Sequence, residues 1–356
     1  MMNIIITGIC GFVGSELATE LRSRLADARI AGIDNLSRRG SERTRPALER
    51  AGIAVRHGDV RCASDVDTLG DADWVIDAAA NPSVLAGVDG RSSGRQLVEH
   101  NLYGTVNLLE FCARRRAGFV LLSTSRVYSV AALQQLPLAV SSGAFVPRAE
   151  SSWPSGAGPD GLREAFSTAG PVSLYGATKR ASEIVAAEYG DAYGFPVVVN
   201  RCGVLAGAAQ FGTAEQGIFS YWVRAWGAGQ PLTYRGFGGA GYQVRDALHP
   251  GDLADLIERQ IRGGASAAGV WNIGGGPGNA MSLAQLSDWC RHRFGPRDVG
   301  ADSVMRRWDV PWIVMDATAA GARFGWRRTR SVADILAEIA NHHDRHPEWL
   351  AVSGVS

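Results

Sequence analysis

Lysine is almost missing from this chain. Of its 36 lysine and arginine residues, only Lys179 is a lysine, so arginine supplies the positive charge wherever any cation suffices. The surviving lysine is either a product of chance or a residue whose task needs a compact ammonium on a flexible stem. Excess charge is missing too, because the formal net charge is +1. This balance argues against nucleic acid or an anionic membrane as a partner, and any anionic ligand must be held by local groups.

Cysteine is sparse and unpaired. The five cysteines are scattered and form no CxxC pair, which argues against a disulfide framework or a structural zinc site and favours a reducing, cytoplasmic compartment. The seven histidines have no acid or cysteine partners at metal-ligand spacing, so we expect no metal site. The string Gly90–Gly94 matches the GxSxG pattern, but it does not directly follow a predicted strand, which leaves a serine hydrolase unsupported. The cysteines are Cys10, Cys62, Cys112, Cys202 and Cys290.

Long apolar runs are missing as well. The first run, Ile4–Ile6, stops at Thr7 and Gly8. It is too short for the core of a signal peptide, and no basic leader precedes it. No run in the chain approaches the length that crosses a bilayer. We therefore expect neither a signal peptide nor a membrane-spanning segment.

Short apolar runs alternate with helical patterns through the first 200 residues. Strands that are separated by helices pair in parallel, and helices then cover both faces of the sheet. The sequence therefore predicts an α/β fold with a Rossmann-type, doubly wound parallel sheet. The predicted strands are Asn3–Ile6, Ile30–Ile33, Ala54–His57, Trp74–Ala79, Phe119–Ser123 and Pro196–Asn200, and the main predicted helices are Phe12–Leu25, Asn101–Arg116 and Thr178–Tyr193.

The amino-acid composition of the sequence changes after about residue 200. Glycine-rich stretches and tryptophans become frequent there, which predicts a second, smaller C-terminal lobe. Residues 130–171 are polar and rich in serine, glycine and proline. This segment is long for a simple connection and is predicted to be a lid, a flap or a partner-facing loop.

A glycine triplet joins the first predicted strand to the first predicted helix. Gly8, Gly11 and Gly14 permit a tight turn, close approach of a pyrophosphate and close helix packing. Asp34 ends the next strand about twenty residues later, as expected for a carboxylate that binds a ribose diol and repels a 2′-phosphate. The series predicts NAD in preference to NADP, although Arg38 and Arg39 could hold a 2′-phosphate. Asp59, after the third strand, could meet the adenine amino group. The alternative is that the glycines only form a turn and that Asp34 is a solvated loop residue.

Tyr175 and Lys179 form a YxxxK motif, and residues four apart share one face of a helix. A neighbouring ammonium favours the phenolate, so we expect Lys179 to lower the pKa of Tyr175 and make it a base that removes a hydroxyl proton. Thr124, at the end of an apolar strand, would hydrogen-bond the same substrate oxygen. The alternative reading is Thr124 as a strand-end cap and Tyr175 as a packing residue.

With these motifs in place, the chain resembles the extended short-chain dehydrogenases of the NAD-dependent epimerase/dehydratase type, and among them the CDP-paratose (CDP-tyvelose) 2-epimerases. The superfamily-wide part of the likeness lies in the glycine loop and in Tyr175–Lys179. The narrower part lies in Asp34–Ser41 and Gln210–Gly217. Further matching segments are Asn101–Glu110, Ser123–Tyr128, Gln243–Asp246 and Asn272–Gly275.

The resemblance implies a homodimeric enzyme that binds NAD in residues 1–202, with 236–262 returning to that domain. Residues 203–235 and 263–356 would form the lobe that binds a CDP- or UDP-linked sugar. The implied catalytic residues are Thr124, Tyr175 and Lys179. The implied cofactor-binding residues are Gly8, Cys10, Gly11, Phe12, Val13, Gly14, Asp34, Asn35, Ser37, Arg38, Asp59, Val60, Ala78, Ala79, Ala80, Asn101, Ser123, Tyr175, Lys179 and Cys202. The implied substrate-binding residues are Pro82, Ser83, Thr124, Ser125, Arg126, Gln210, Phe211, Gln216, Gly217, Arg245 and Arg306.

The implied reaction is epimerisation through a transient keto sugar, with C2 of a CDP-sugar as one candidate centre. Ser125 and Arg126 depart from the Asn-Lys of the family pattern, and both border the sugar. They also stand where a 4,6-dehydratase needs an acid and a base, which argues against dehydration. A 4-epimerase, a decarboxylase and a dehydrogenase or reductase remain alternatives on the same scaffold. A non-catalytic NAD-binding protein is a more remote one.

Overall fold

The computed structural model describes residues 1–88, 90, 93–148 and 151–354. Its strands are β1 (Asn3–Thr7), β2 (Arg29–Asp34), β3 (Ala54–His57), β4 (Trp74–Asp77), β5 (Gly118–Thr124), β6 (Leu138–Ser141), β7 (Ala144–Pro147), β8 (Ala157–Gly158), β9 (Gly161–Leu162), β10 (Val197–Cys202), β11 (Val204–Leu205), β12 (Thr233–Arg235), β13 (Val244–Leu248), β14 (Gly269–Ile273), β15 (Ala280–Ser282), β16 (Gly300–Asp302) and β17 (Trp312–Ile313). Its α-helices are α1 (Phe12–Arg24), α2 (Arg45–Arg50), α3 (Ala63–Asp67), α4 (Gly94–Val98), α5 (Gly104–Arg115), α6 (Val130–Gln134), α7 (Leu174–Tyr193), α8 (Ile218–Gly227), α9 (Pro250–Gly263), α10 (Leu283–Phe294), α11 (Thr318–Phe324), α12 (Val332–Arg345) and α13 (Trp349–Val352).

Seven parallel strands form the central sheet, in the order β3-β2-β1-β4-β5-β10-β14. Successive side chains of a strand point to opposite faces, so Ile4 and Ile6 enter one core and Ile5 enters the other. Helices α1 and α9 cover the first face, and α5 and α7 cover the second. The predicted doubly wound α/β fold is confirmed.

Some predicted boundaries differ from the structure. Strand β4 ends at Asp77, two residues earlier than predicted, because the chain turns outward there. The predicted helix from Asn101 begins instead with a π-helical turn at Glu99–Tyr103, which runs into α5. Helix α7 begins at Leu174, where the Ser173 hydroxyl caps it by accepting a hydrogen bond from the Gly176 N–H at 3.0 Å.

The order of the sheet reverses between β1 and β4, and ligands of such sheets bind at the carboxyl ends of the strands beside this point. The two strand ends are tied together by side chains. Thr7 donates a hydrogen bond to Asp77 at 2.8 Å and accepts one from the Ala79 N–H at 3.0 Å. Thr105 of α5 donates to the second Asp77 oxygen at 2.8 Å. The crevice that would receive a dinucleotide is therefore fixed by buried hydrogen bonds.

A smaller lobe is built around a second sheet in which β13 pairs with β11, β15 and β17. Its core contains Trp222 and Trp226 of α8, packed against Leu286 of α10 and Ile339 of α12. The predicted assignment of 263–356 to the substrate lobe differs from the structure at β14, which pairs with β10 at the edge of the central sheet. The predicted return of 236–262 to the NAD-binding domain differs at β13, which belongs to the second sheet, whereas α9 of that range packs on the central sheet. The division into lobes at 202 and 235 stays a prediction.

The polar segment 130–171 carries helix α6 and two small hairpins, β6-β7 and β8-β9. Its apolar side chains pack on the C-terminal lobe, because Leu133 and Leu162 share one core with Trp312 and Met315. Within the described ranges, no helix has both the length and the apolar character needed to cross a membrane.

Candidate active site

A cavity of about 580 Å³ lies between the carboxyl ends of the central strands and the C-terminal lobe. The sequence predicted most of its wall. The predicted residues that line it are Gly8, Gly11, Phe12, Val13, Gly14, Asp34, Asn35, Ser37, Arg38, Asp59, Val60, Ala78, Ala79, Ala80, Pro82, Ser123, Thr124, Ser125, Arg126, Tyr175, Lys179, Cys202, Gln210, Phe211, Gln216, Gly217, Arg245 and Arg306.

Three predicted contact residues lie behind this wall. The Cys10 N–H donates to a carboxylate oxygen of Asp34 at 2.8 Å. The Asn101 side chain accepts a hydrogen bond from the Asn81 N–H at 2.8 Å. The Ser83 hydroxyl is buried, and no described residue partners it. These three residues shape the wall, and their direct contact with a ligand stays a prediction.

The glycine loop has no space for larger residues. Gly8 has φ +61°, and a Cβ atom there would lie 2.9 Å from the Cα of Ala79. A Cβ atom on Gly14 would overlap the carbonyl oxygen of Gly8. Helix α1 begins directly after this loop, and its N-cap residue Gly11 offers no side-chain hydrogen bond to the first-turn N–H groups. The loop thus forms a cradle whose open donors suit a pyrophosphate.

Asp34 is buried at the end of β2, where two backbone N–H groups fix its carboxylate. The Cys10 N–H donates to one oxygen and the Leu36 N–H donates to the other, both at 2.8 Å. A carboxylate offers about four acceptor positions, so two remain for a ribose diol. The position fits the adenosine ribose of NAD and would repel a 2′-phosphate.

Arg38 contacts the opposite lobe. Its guanidinium donates to the amide oxygen of Gln216 at 2.7 Å and to the carbonyl oxygen of Phe211. Burial lowers the pKa of Arg38. Arg38 therefore bridges the cavity from the strand end at Asp34 to the loop 210–217 and uses donors that a 2′-phosphate would need. The neighbouring Arg39 is exposed.

Asp59 is engaged by its own neighbours. Arg61 donates to both of its carboxylate oxygens, at 2.7 Å and 3.0 Å, and Asn35 donates at 3.0 Å. These hydrogen bonds hold the pKa of Asp59 well below its usual range. The carboxylate remains charged, and the predicted contact with adenine stays a prediction.

Thr124, Tyr175 and Lys179 meet on one wall of the cavity. Thr124 ends β5, while Tyr175 and Lys179 lie one turn apart on α7. The Thr124 hydroxyl lies near enough to the phenol to lower its pKa. Lys179 is only 2% exposed. The geometry brings together a phenol, a hydroxyl and an amine, as the sequence predicted.

The electrostatics of Tyr175 differ from the prediction. Burial raises the pKa of this phenol to about 12, and the Thr124 hydroxyl and the Arg126 guanidinium counteract only part of the rise. The prediction that Lys179 would lower this pKa is wrong for the protein without ligand, because desolvation outweighs the cations. Burial also lowers the pKa of Lys179 itself.

A buried ion pair behind the wall that carries Thr124, Tyr175 and Lys179 was not predicted. Glu183, one turn beyond Lys179, binds Arg201 of β10 through contacts at 2.7 Å and 3.0 Å. It also accepts hydrogen bonds from Ser123 at 2.5 Å and Arg180 at 3.0 Å. Glu183 is 2% exposed and Arg201 4% exposed. The pair ties α7 to the ends of β5 and β10. Its only sequence signal was a charged residue on the buried face of a helix.

The other wall of the cavity carries arginines. Arg245 of β13 donates to the Asp309 carboxylate at 3.4 Å and to the Val310 carbonyl oxygen at 2.9 Å. Burial and the nearby Arg126 charge lower the pKa of Arg245 to about 10. We call Arg126, Arg245, Arg306 and Asp309 the arginine side, and Gly8–Gly14, Asp34–Arg38 and Asp59 the glycine-loop side.

Several lining residues escaped the sequence reasoning. Some follow a strand at its carboxyl end, and others adjoin predicted arginines, so position alone could have suggested them. They include Gly58, Val84, His100, Gly203, Val204, Leu205, Trp222, Thr233, Arg235, Gln243, Met281 and Asp309. Within residues 1–88, 90, 93–148 and 151–354, no cluster of three or more histidine, cysteine or acidic residues could hold a metal ion.

Comparisons with known proteins give a consistent assignment. The model of the NAD dependent epimerase/dehydratase family matches residues 4–274. The CDP-paratose 2-epimerase of Salmonella typhi is 29% identical over 305 residues, which cover 81% of this chain and 85% of the relative. A dTDP-glucose 4,6-dehydratase of Streptomyces niveus is 28% identical over 360 residues, covering 98% of this chain and 94% of the relative.

Among solved structures, the UDP-glucose 4-epimerase of Thermus thermophilus in complex with NAD superposes with a TM-score of 0.73 at 25% identity, covering 96% of this chain and 99% of the other. The range 4–274 that the family model matches contains the glycine loop, Asp34 and the Tyr175–Lys179 pair. The chain therefore belongs to the NAD dependent epimerase/dehydratase family, and its cofactor is NAD.

Proposed function

We propose that this protein is a nucleotide-sugar epimerase that oxidises one carbon of the sugar transiently and then reduces it from the opposite face. The observation that carries the proposal is that Thr124, Tyr175 and Lys179 stand on one wall of the cavity that also holds the glycine-loop cradle. NAD⁺, when bound, accepts the hydride of the oxidised carbon and returns it.

The residues of the chain handle the proton in this reaction. Tyr175 removes the hydroxyl proton as the carbon is oxidised and gives it back on reduction. Thr124 hydrogen-bonds the same oxygen and orients it. Because burial raises the pKa of Tyr175, a positive charge beside the phenol is needed to stabilise the phenolate. The Arg126 guanidinium lowers this pKa, and the Lys179 amine, one turn along the same helix, would add to that effect when it is protonated.

Dehydration is the less favoured reaction on this wall. It needs an acid and a base beside the threonine, and this chain places Ser125 and Arg126 there. Epimerisation at C2 of a CDP-sugar is the first reaction to test, because the narrow motifs Asp34–Ser41 and Gln210–Gly217 match that resemblance. Epimerisation at C4 of a UDP-sugar, decarboxylation and simple dehydrogenation are the other candidates.

The test is incubation of the NAD-loaded protein with a panel of CDP- and UDP-sugars in deuterated water, followed by NMR of the products. We expect one sugar to be epimerised without deuterium at the inverted carbon, because the hydride returns internally. Deuterium at that carbon would indicate epimerisation by proton exchange and would overturn the mechanism. A panel in which no sugar is converted and none reduces the bound NAD would overturn the epimerase assignment.

We also infer that the protein forms a homodimer through α7 and the helix after Asn101. Tyr103 and Ile184 are large apolar residues that are 56% and 49% exposed on these helices. Exposed large apolar side chains on neighbouring helices are typical of an interface. An Ile184→Arg variant should sediment as a monomer, whereas an unchanged sedimentation coefficient would contradict this interface.

A further inference from the structure

Helix α13 packs against the loop 210–217, which forms part of the cavity wall. The indole of Trp349 stacks on the ring of Phe211, with the ring centroids 5.1 Å apart and the planes inclined by 14°. The indole N–H donates a hydrogen bond to the carbonyl oxygen of Gln210 at 3.3 Å. Phe211 lines the cavity, and Trp349 is buried against it. Trp349 therefore supports a residue that a bound ligand can touch.

A buried arginine of α8 strengthens the same contact. The Cζ atom of Arg224 lies 5.9 Å from the centroid of the Trp349 ring, within the range of a cation–π interaction. Its guanidinium donates to the Ala208 carbonyl oxygen and, at 3.2 Å, to the Ser220 hydroxyl. This hydroxyl donates in turn to the Gln210 carbonyl oxygen at 3.3 Å. The start of the loop 210–217 is thus fixed by hydrogen bonds from both α8 and α13.

The other side of the loop meets the segment that follows β2. Arg38 of this segment donates to the Phe211 carbonyl oxygen. Gly40, with φ +92°, packs so closely that a Cβ atom there would lie 2.6 Å from the Phe211 ring and 2.8 Å from a methyl group of Val352 on α13. Helix α13 therefore contacts both parts that the Arg38 bridge joins, namely the loop and the segment after β2.

These contacts close one particular end of the cavity. Asp34 ends β2, and its free acceptor positions suit the adenosine ribose of NAD. Arg38 follows only four residues later. The loop 210–217 is thus fastened to the glycine-loop side, where the cofactor fits. The proposed function places the substrate diphosphate on the arginine side, at Arg245 and Arg306.

We propose that Trp349 is a positioning residue that holds the loop 210–217 against Arg38 and Gly40 and thereby slows the release of NAD. For this end of the cavity to open, the loop must leave Arg38, and the stack of Trp349 on Phe211 opposes that movement. Slow release suits an enzyme that returns the hydride from the same NAD in each cycle. The inference itself requires only the NAD site and holds for any sugar.

The test measures the release of the cofactor directly. Protein stripped of NAD is loaded with NADH, an excess of NAD⁺ prevents rebinding, and the fluorescence anisotropy of NADH falls as it leaves the protein. The variants are Trp349→Ala and Trp349→Phe. The matched control is Trp289→Ala, because Trp289 is a half-buried indole of α10 that packs on the core of the same lobe. Thermal unfolding verifies that each variant is folded.

We expect Trp349→Ala to release NADH about fivefold to tenfold faster than wild type, since the stack and the indole hydrogen bond are both lost. Trp349→Phe keeps a ring that can stack and should release it about twofold faster. Trp289→Ala should stay within about twofold of wild type, even if its thermal stability falls as far as that of Trp349→Ala. The affinity for UDP should stay within about twofold in every variant.

A double variant tests the route of the effect. If Trp349 acts through the Arg38 bridge, the increases caused by Trp349→Ala and Arg38→Gln should not multiply when the two changes are combined. A double variant whose increase equals the product of the two single increases would show that Trp349 acts independently of the bridge. Should Trp349→Ala fail to fold, Trp349→Leu replaces it, because leucine keeps an apolar side chain without a ring.

Three further results would overturn the proposal. The first is a wild-type release rate in Trp349→Ala. The second is an equal acceleration in Trp289→Ala, which would indicate general loosening of the lobe. The third is weaker binding of UDP with unchanged release of NADH, which would make the loop 210–217 a substrate element only. Failure of the proposed function is separate, because a protein that converts no nucleotide sugar would still show these release rates.

Discussion

The glycine-loop side and the arginine side of the cavity balance their charges in different ways. On the first, Asp34 is held by two backbone N–H groups and Asp59 by Arg61 and Asn35. On the second, Asp309 is the one carboxylate of the arginine side, and it pairs with Arg245. The acids of the glycine-loop side are paired with protein groups before a ligand binds. On the arginine side, guanidiniums outnumber the one carboxylate, and a ligand would supply further partners. The first should therefore be sensitive to added atoms and the second to removed groups.

The largest effect on activity should come from the wall that carries Thr124, Tyr175 and Lys179. Tyr175→Phe keeps the ring and removes the proton acceptor, so kcat should fall about 10³-fold. Bound NAD and thermal stability should change little, because the ring and its packing against Ala86 and Leu97 are kept. The matched control is Tyr193→Phe, an exposed phenol on the same helix. A Tyr175→Phe enzyme with wild-type kcat would show that another group moves the proton.

The pH dependence of wild type sharpens the same point. Since the pKa of Tyr175 lies near 12, the phenolate fraction grows as pH rises toward that value. We expect kcat/KM to rise with pH between about 6 and 9, by up to about tenfold per pH unit. The rise should level off at the pKa that Tyr175 has when the positively charged cofactor is bound. The residual activity of Tyr175→Phe should lack this slope. A flat wild-type profile would mean that the phenolate forms already below pH 6.

An added atom should harm the glycine-loop side. Gly14→Ala places a Cβ atom against the Gly8 carbonyl oxygen, so the cradle must shift, and the affinity for NAD should fall about tenfold to hundredfold. NAD binding is measured by calorimetry on protein stripped of cofactor. Gly158→Ala is the control, because a Cβ atom there meets nothing within 4 Å. An unchanged affinity of Gly14→Ala for NAD would contradict the expected sensitivity of the glycine-loop side to added atoms.

A removed side chain should have the smallest effect on this side. Arg38→Gln loses the bridge to Gln216 and Phe211, so NAD should leave about threefold to tenfold faster, as expected for lost hydrogen bonds. The release of NAD from the protein is followed by fluorescence, with the released NAD trapped so that it does not rebind. Arg39→Gln, an exposed neighbour, should match wild type. If both variants release NAD at the wild-type rate, the bridge does not retain the cofactor.

Sequence reasoning succeeded where the site is local. The glycine loop, Asp34 and the Tyr175–Lys179 pair each depend on residues within one strand–turn–helix unit or one helical turn, so spacing alone places them. The contacts that complete the cavity join distant parts of the chain. Arg38 and Gln216 are 178 residues apart, and Arg126 and Trp308 are 182 apart. Such pairs depend on how the lobes pack, which no local pattern encodes.

The pKa of Tyr175 could not be predicted for a related reason. Spacing reveals that an ammonium lies one turn away, but it does not reveal how much water the fold removes from the phenol. The same limit applies to Glu183, whose position on the helix is evident but whose partner Arg201 lies on a strand beyond α7. Proximity along one element can be deduced from sequence, while desolvation is a property of the packed whole.

The near absence of lysine has a practical consequence for chemical labelling. Lys179 is the one lysine of the sequence, and its amine lines the cavity. Its lowered pKa increases the share of nucleophilic free amine. An acylating reagent small enough to enter would therefore mark the site in a single peptide, and protection by a bound ligand could be measured by mass spectrometry without any engineered probe.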